Sequence, residues 1–151
     1  MLVVLKNREI AEKWELFKDV LRSSIPKTPD LVPDWLTNCL FSAMCGSLQF
    51  WLGYDERLGE DRFYCAFVTK IVADELTGQK AMLIYAMKVF NKATHETRIE
   101  DLRTLGRICK VKGIKRITAF CLSKVSYNAL KKAFPNLEMT YYCSIPIGEE
   151  K

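Results

Sequence analysis

Two neighbouring segments constrain the fold of this chain more than any other feature. From Phe63 the sequence is apolar at successive positions (Phe63, Tyr64, Cys65, Ala66, Phe67, Val68), and Ala81 to Phe90 repeats the pattern with Met82, Leu83, Ile84, Tyr85, Ala86 and Met87. Between them, Asp74-Glu-Leu-Thr-Gly-Gln reads as a hairpin turn in which Gly78 supplies a positive φ. A strand that is apolar on both alternations needs cover on both faces. Segments 63–73 and 81–90 are therefore expected as central strands of a sheet. Upstream, Leu48, Phe50, Leu52 and Tyr54 alternate with Gln49, Trp51 and Gly53, a period of two that marks another strand. This strand carries large aromatics on both alternations. Either a helix covers each side or part of it meets a partner subunit or ligand. Asp55-Glu-Arg-Leu-Gly-Glu-Asp follows as a polar turn.

Helical periods flank this meander. Leu2–Leu5 is a short first strand, Asn7 a candidate N-cap, and Ile10, Trp14, Phe17 and Leu21 form an apolar stripe running to about Ser23. Pro26, Pro29 and Pro33 interrupt it. A second helix starts near Asp34, carries Trp35, Leu36, Cys39, Leu40 and Ala43, and ends before Gly46. From His95, Ile99, Leu102, Leu105 and Cys109 mark a long helix that Gly113 terminates. Ile114–Leu122 reads as a strand, Ser123 as the cap of a short helix with Val125, Ala129, Leu130 and Ala133, and Leu137–Ile145 as a last strand. The expected architecture is α/β (α+β): a mixed, mostly antiparallel sheet of about six strands flanked by about four helices, in one domain over 1–151. A right-handed crossover is expected between strands 81–90 and 114–122.

Composition removes several classes of function. No apolar run reaches the roughly 18–20 residues of a membrane span, and Met1-Leu-Val-Val-Leu-Lys is too short and too soon charged for a secretory signal. The expected location is cytoplasmic. Six cysteines (39, 45, 65, 109, 121 and 143) invite a disulfide framework. A chain this long and apolar can do without staples, so the preferred reading is reduced cysteine used as a small hydrophobe. Cys39 and Cys45 lack zinc-ligand spacing, and His95 is the only histidine, so no metal site is expected.

The succession of elements resembles the GNAT superfamily of N-acetyltransferases over almost the whole chain, and Ser123-Lys-Val-Ser-Tyr-Asn-Ala-Leu-Lys-Lys-Ala-Phe134 is similar to that family's stretch in which an Asn precedes an apolar helix face. Gln49-Phe-Trp-Leu-Gly-Tyr-Asp-Glu, Val68-Thr-Lys-Ile-Val and Gly78-Gln-Lys-Ala-Met-Leu-Ile-Tyr also resemble acyltransferase-like proteins of phages and prophages, for which a virion-associated location is the alternative. The resemblance implies acetyl-CoA as cofactor, its pantetheine arm in a V-shaped opening between strands 81–90 and 114–122. Its implied contacts are Met87, Val89, Thr94, His95, Thr97, Arg98 and Asn128. It also implies an amine-proton acceptor, for which Asp74 and Glu75 are candidates, and a tyrosine that protonates the departing thiolate, for which Tyr127 stands. Plainer readings exist beside these: turn residues for Asp74 and Glu75, a packing residue for Tyr127, and a surface histidine for His95.

The family's Gln/Arg-x-x-Gly-x-Gly/Ala loop lets backbone amides approach a pyrophosphate. Here the corresponding Asn91-Lys-Ala-Thr-His-Glu-Thr-Arg98 has no glycine. Glu96 places a carboxylate among the helix N–H groups, and Thr94 can cap the helix without a ligand. Lys92, His95 and Arg98 are the side chains available to compensate. The leading expectation is a GNAT-like domain with a degenerate cofactor loop, a binding or structural module with a protein partner or a second copy of itself. The alternative is an acyl-CoA-dependent N-acyltransferase with a non-standard loop. A third is a nucleic-acid-binding module working through the cations of 103–116, where Arg103, Arg107 and Lys110 share a helix face. The formal charge of +5 supports an anionic partner only weakly.

Overall fold

The computed structural model describes residues 1–25, 27, 31–59 and 62–119, together with Asn128, Lys131, Pro135, Asn136 and Glu138. The chain divides into two compact units, Met1–Phe120 and Cys121–Lys151. In the second, Asn128 and Lys131 have helical backbone, and the Lys131 ammonium donates to the Pro135 carbonyl at 2.9 Å. Of the last predicted strand, 137–145, only Glu138 is among the described residues.

The first unit is a five-stranded sheet in the order β1 (Leu2–Val4), β2 (Leu48–Tyr54), β3 (Phe63–Ala73), β4 (Lys80–Val89), β5 (Arg116–Ala119). The first three pairings are antiparallel and β4 runs parallel to β5. Helices α1 (Asn7–Glu12), α2 (Trp14–Ser24) and α3 (Trp35–Met44) precede β2, and α4 (His95–Val111) links β4 to β5. The mixed, mostly antiparallel sheet flanked by helices is that expected, with five strands described against about six; of the short helix expected after Ser123 only Asn128 and Lys131 are described. The predicted first helix is two helices, parted at Lys13 (φ −106°, ψ 16°). Its cap also differs from expectation: the Lys6 N–H donates to the Glu9 carboxylate at 2.8 Å, while the Asn7 amide reaches the Met44 carbonyl. A carboxylate at the helix start, favoured by the dipole, does the work predicted for Asn7.

Burial follows the alternation. Leu48, Phe50 and Leu52 of β2, Ala66 and Val68 of β3, and Ala86 of β4 pack under Ile10, Phe17, Val20, Leu21, Cys39 and Ala43 of the first three helices. On the other face Trp51, Phe67 and Met82 pack under Leu105 and Cys109 of α4. A helical layer thus covers each side of β2. Phe50 is fully buried against Phe17 (centroids 4.5 Å), and Trp51 stacks on Phe67 at 5.8 Å. The Trp51 indole N–H is satisfied by Thr69 Oγ1, which is itself completely buried.

Two bulges re-aim side chains. Val68 pairs with Ala86 but Thr69 with Ile84, leaving Tyr85 as the extra residue; Met82 and Ile84 face α4, whereas Ala86 faces the opposite layer. Likewise Gly53 pairs with Cys65 but Tyr54 with Phe63, so Tyr64 is extra, and it joins Cys65 on the α4 side. Its hydroxyl donates to the Asp101 carboxylate at 3.0 Å. At Gly53 a Cβ would stand 2.7 Å from the Tyr64 ring and 2.8 Å from Cys65 Sγ, so only glycine fits beneath that bulge.

Candidate functional site

The turn from β4 into α4 is the place to look for chemistry, because here a strand end, a helix N-terminus and a run of polar side chains converge. Pairing between β4 and β5, among the described residues, ends at Ile84 and Ala119. Beyond it β4 continues through Tyr85–Val89. The polar groups of Met87 point away from β3 and both are engaged by one side chain. Its N–H donates to Ser24 Oγ at 3.1 Å, and the Ser24 hydroxyl donates to its carbonyl, also at 3.1 Å. A hydroxyl can do both at once, since it is donor and acceptor. Ser24 is the last residue of α2. One turn earlier on that helix, Asp19 pairs with Lys88 of β4 at 2.5 Å, so two polar ties hold α2 along this strand. The side chains of Met87 and Val89 are about half exposed.

At the start of α4 the Thr94 hydroxyl caps the helix, accepting the Thr97 N–H at 3.2 Å and lying 2.9 Å from Thr97 Oγ1. Thr94 thus has the capping role expected of it. Glu96 adds a carboxylate to the first turn. A further carboxylate comes from the polar turn after β2, where Glu56–Leu58 forms one 3-10 turn. Buried Asp55 accepts from the Arg57 guanidinium at 3.1 and 2.8 Å and from the Arg57 N–H. The side-chain bonds from Arg57, with its N–H, its charge and the nearby Thr94 N–H adding to them, hold the Asp55 carboxyl down at about 2. A cavity of about 590 Å³ borders these residues; Asp55, Glu56, Glu96, Glu100 and Asp101 supply five carboxylates to its walls and Arg57 one guanidinium.

The sequence candidates do not converge on one point. Thr94, His95, Thr97 and Arg98 share the first turn of α4, where His95 and Arg98 are exposed. Met87 and Val89 lie at the end of the preceding strand. Asp74 and Glu75 sit in the β3–β4 turn, at the other end of β4; its nine residue steps put them roughly 30 Å from Val89. There Asp74 accepts the Leu76 and Thr77 N–H groups at 2.9 and 3.0 Å, and those backbone bonds lower its carboxyl below the usual range. Its chemistry is that of a turn. Asn128 is exposed and helical in the second unit, and Tyr127 lies outside the described residues. Ser24, Asp55 and Arg57 were not singled out from sequence. For Asp55 a signal existed, since an Asp two residues before a cation in a polar turn is an Asx turn. Ser24, 63 residues from Met87, had none.

Among the described residues no helix is long and apolar enough to cross a membrane, and no three His, Cys, Asp or Glu side chains are grouped to hold a metal ion. On the helix 95–111, Arg103 and Arg107 both pair with Glu100, so part of the predicted cationic face is neutralised on its own helix.

No family model and no curated protein matches this chain. Solved structures do. A probable acetyltransferase aligns over 99% of both chains with a TM-score of 0.69 and 11% identity. The fold is that of the GNAT acetyltransferases. An aminoglycoside acetyltransferase from an uncultured soil metagenomic sample, in complex with sisomicin, matches with TM-score 0.67 and 11% identity over 99% of this chain and 96% of that one. A predicted acetyltransferase from Clostridium acetobutylicum, solved with acetyl-CoA, gives TM-score 0.64 and 12% identity over 97% and 95%. In this GNAT fold β4 and the start of α4 are the elements on which the cofactor contacts other than Asn128 were expected.

Proposed function

We propose that this chain is a GNAT-fold binding module, one domain over 1–151, that does not transfer acetyl groups, because its cofactor cradle is closed by the protein's own atoms. The observation that carries this reading is the Ser24 hydroxyl on both polar groups of Met87. An extended ligand laid along the end of β4 needs those groups, and a neutral pair of hydrogen bonds already satisfies them. The helix start supports the same reading. The Thr97 N–H is taken by Thr94, the Glu96 carboxylate is present, and Asn91–Arg98 lacks the glycines that let a backbone approach a pyrophosphate. These residues do not fit the diphosphate of acetyl-CoA. The likeness of 49–56, 68–72 and 78–85 to phage and prophage acyltransferase-like proteins favours a protein of that origin, acting in the cytoplasm or on a virion and working through a protein partner or a second copy of itself.

The test is thermal denaturation with acetyl-CoA. A ligand at a hundred times its Kd adds about 2.7 kcal/mol to stability. An unchanged Tm at millimolar cofactor is the expected result. A rise of several degrees would overturn the proposal and favour the N-acyltransferase, for which the exposed Lys92, His95 and Arg98 at the helix start are the available phosphate partners.

A further inference from the structure

A second cavity, of about 250 Å³, opens on the other helical layer, between the end of α2 and the start of α3. Its lining, among the described residues, is Arg22, Ile25, Lys27, Leu31 and Trp35. The wall is apolar and anchored: Ile25 and Trp35 pack inward against the core beneath the first three helices. Both charged residues among them are cations. Neither the Arg22 guanidinium nor the Lys27 ammonium has an ion-pair or hydrogen-bond partner among the described residues, whereas the cations at Lys18, Arg57 and Lys88 each hold a carboxylate. The Trp35 indole N–H is likewise without an acceptor there, unlike that of Trp51. No described lining residue is acidic.

We propose that this cavity binds a small aromatic anion, its acidic group held by Arg22 and Lys27 and its ring laid on Ile25, Leu31 and Trp35. The described donors are complementary to a carboxylate or phosphate. The volume lies just below the roughly 300–1,000 Å³ of drug-sized sites, which limits the body to about one ring. This inference goes beyond the reading above and does not depend on acetyl-CoA.

Benzoate is the probe, followed through the indole N–H signals of a ¹⁵N-labelled full chain, with the Trp35 signal assigned from Trp35→Phe. The expected result is a saturable shift of that signal in the millimolar range or tighter. Binding should weaken by at least about tenfold in an Arg22→Gln/Lys27→Gln double variant, whose exposed positions leave the rest of the spectrum unchanged. Benzamide, the same shape without the charge, should bind at least about tenfold more weakly. Equal binding of benzoate and benzamide, shifts confined to other signals, or no saturation would each overturn the proposal. Acetyl-CoA shifting the Met87 and Val89 amides in the same sample would instead overturn the non-catalytic reading and leave this one standing.

Discussion

The cysteines show how burial sets reactivity one residue at a time. Among the described residues Cys39, Cys45, Cys65 and Cys109 are all free thiols, and only Cys45 is exposed. Burial pushes the Cys65 thiol up to about 11, with the Asp101 charge adding to the shift, so at pH 8 it is almost entirely protonated and inert. Alkylation of the native protein at that pH, mapped by mass spectrometry, should label Cys45 fully while Cys65 and Cys109 react only after denaturation. Early labelling of Cys65 would contradict the packing under α4. Asp55 gives a pH signature of definite sign. Its carboxyl titrates near 2 in the folded chain against roughly 3.9 unfolded. The Arg57 contact therefore stabilises the fold above the unfolded value and is lost as pH falls through about 4 towards 2. Asp55→Asn should lower Tm at pH 7, and the gap to the wild type should shrink on acidification. A gap that stays constant down to pH 2 would show that the charge contributes nothing.

At the level of elements, the tie between α2 and β4 is the feature with most consequence. Ser24→Ala removes one hydroxyl from a half-exposed site and leaves two backbone groups of Met87 to water. The cost is expected to be about 1 kcal/mol, that of an ordinary hydrogen bond. Native-state hydrogen exchange should then show the Met87 amide losing protection while the Ala86 and Lys88 amides, on the β3 side, keep theirs. Equal loss at all three would mean that the β3–β4 pairing itself had opened, and that the tie is not local. The elements themselves were largely legible. The period of two placed β2 at 48–54, the run apolar on both alternations placed β3 at 63–73, and the Thr94 cap and Gly113 stop bounded α4. Gly113 takes φ +68°, and the Gly113 and Ile114 N–H groups close the helix on the Lys110 and Cys109 carbonyls. The bulges at Tyr64 and Tyr85 were not legible. Each inserts one residue into a run that is apolar on both alternations, so no change of pattern marks it.

For the whole molecule, a formal charge of +5 offers an anionic polymer only a weak field, and Glu100 pairs with Arg103 and Arg107 on the helix that carries half of the 103–116 cluster. Retention on immobilised DNA should accordingly be lost by physiological salt, with the shallow slope of a few phosphate contacts. Tight retention at 200 mM salt, roughly the point where multi-contact binders have lost most of their affinity, would restore the nucleic-acid reading.

Hydrophobic period, caps and turn residues are local properties, written in the order of the residues. They determined by themselves that this chain builds a central meander between helical layers, and that the segment 91–98 contains no glycine. Which groups come to lie against the end of β4 is a matter of pairs far apart in sequence, Ser24 with Met87 and Asp19 with Lys88. Those contacts arise only when the amphipathic face of α2 docks on the sheet. A serine with no distinguishing neighbours acquires its role from that packing alone.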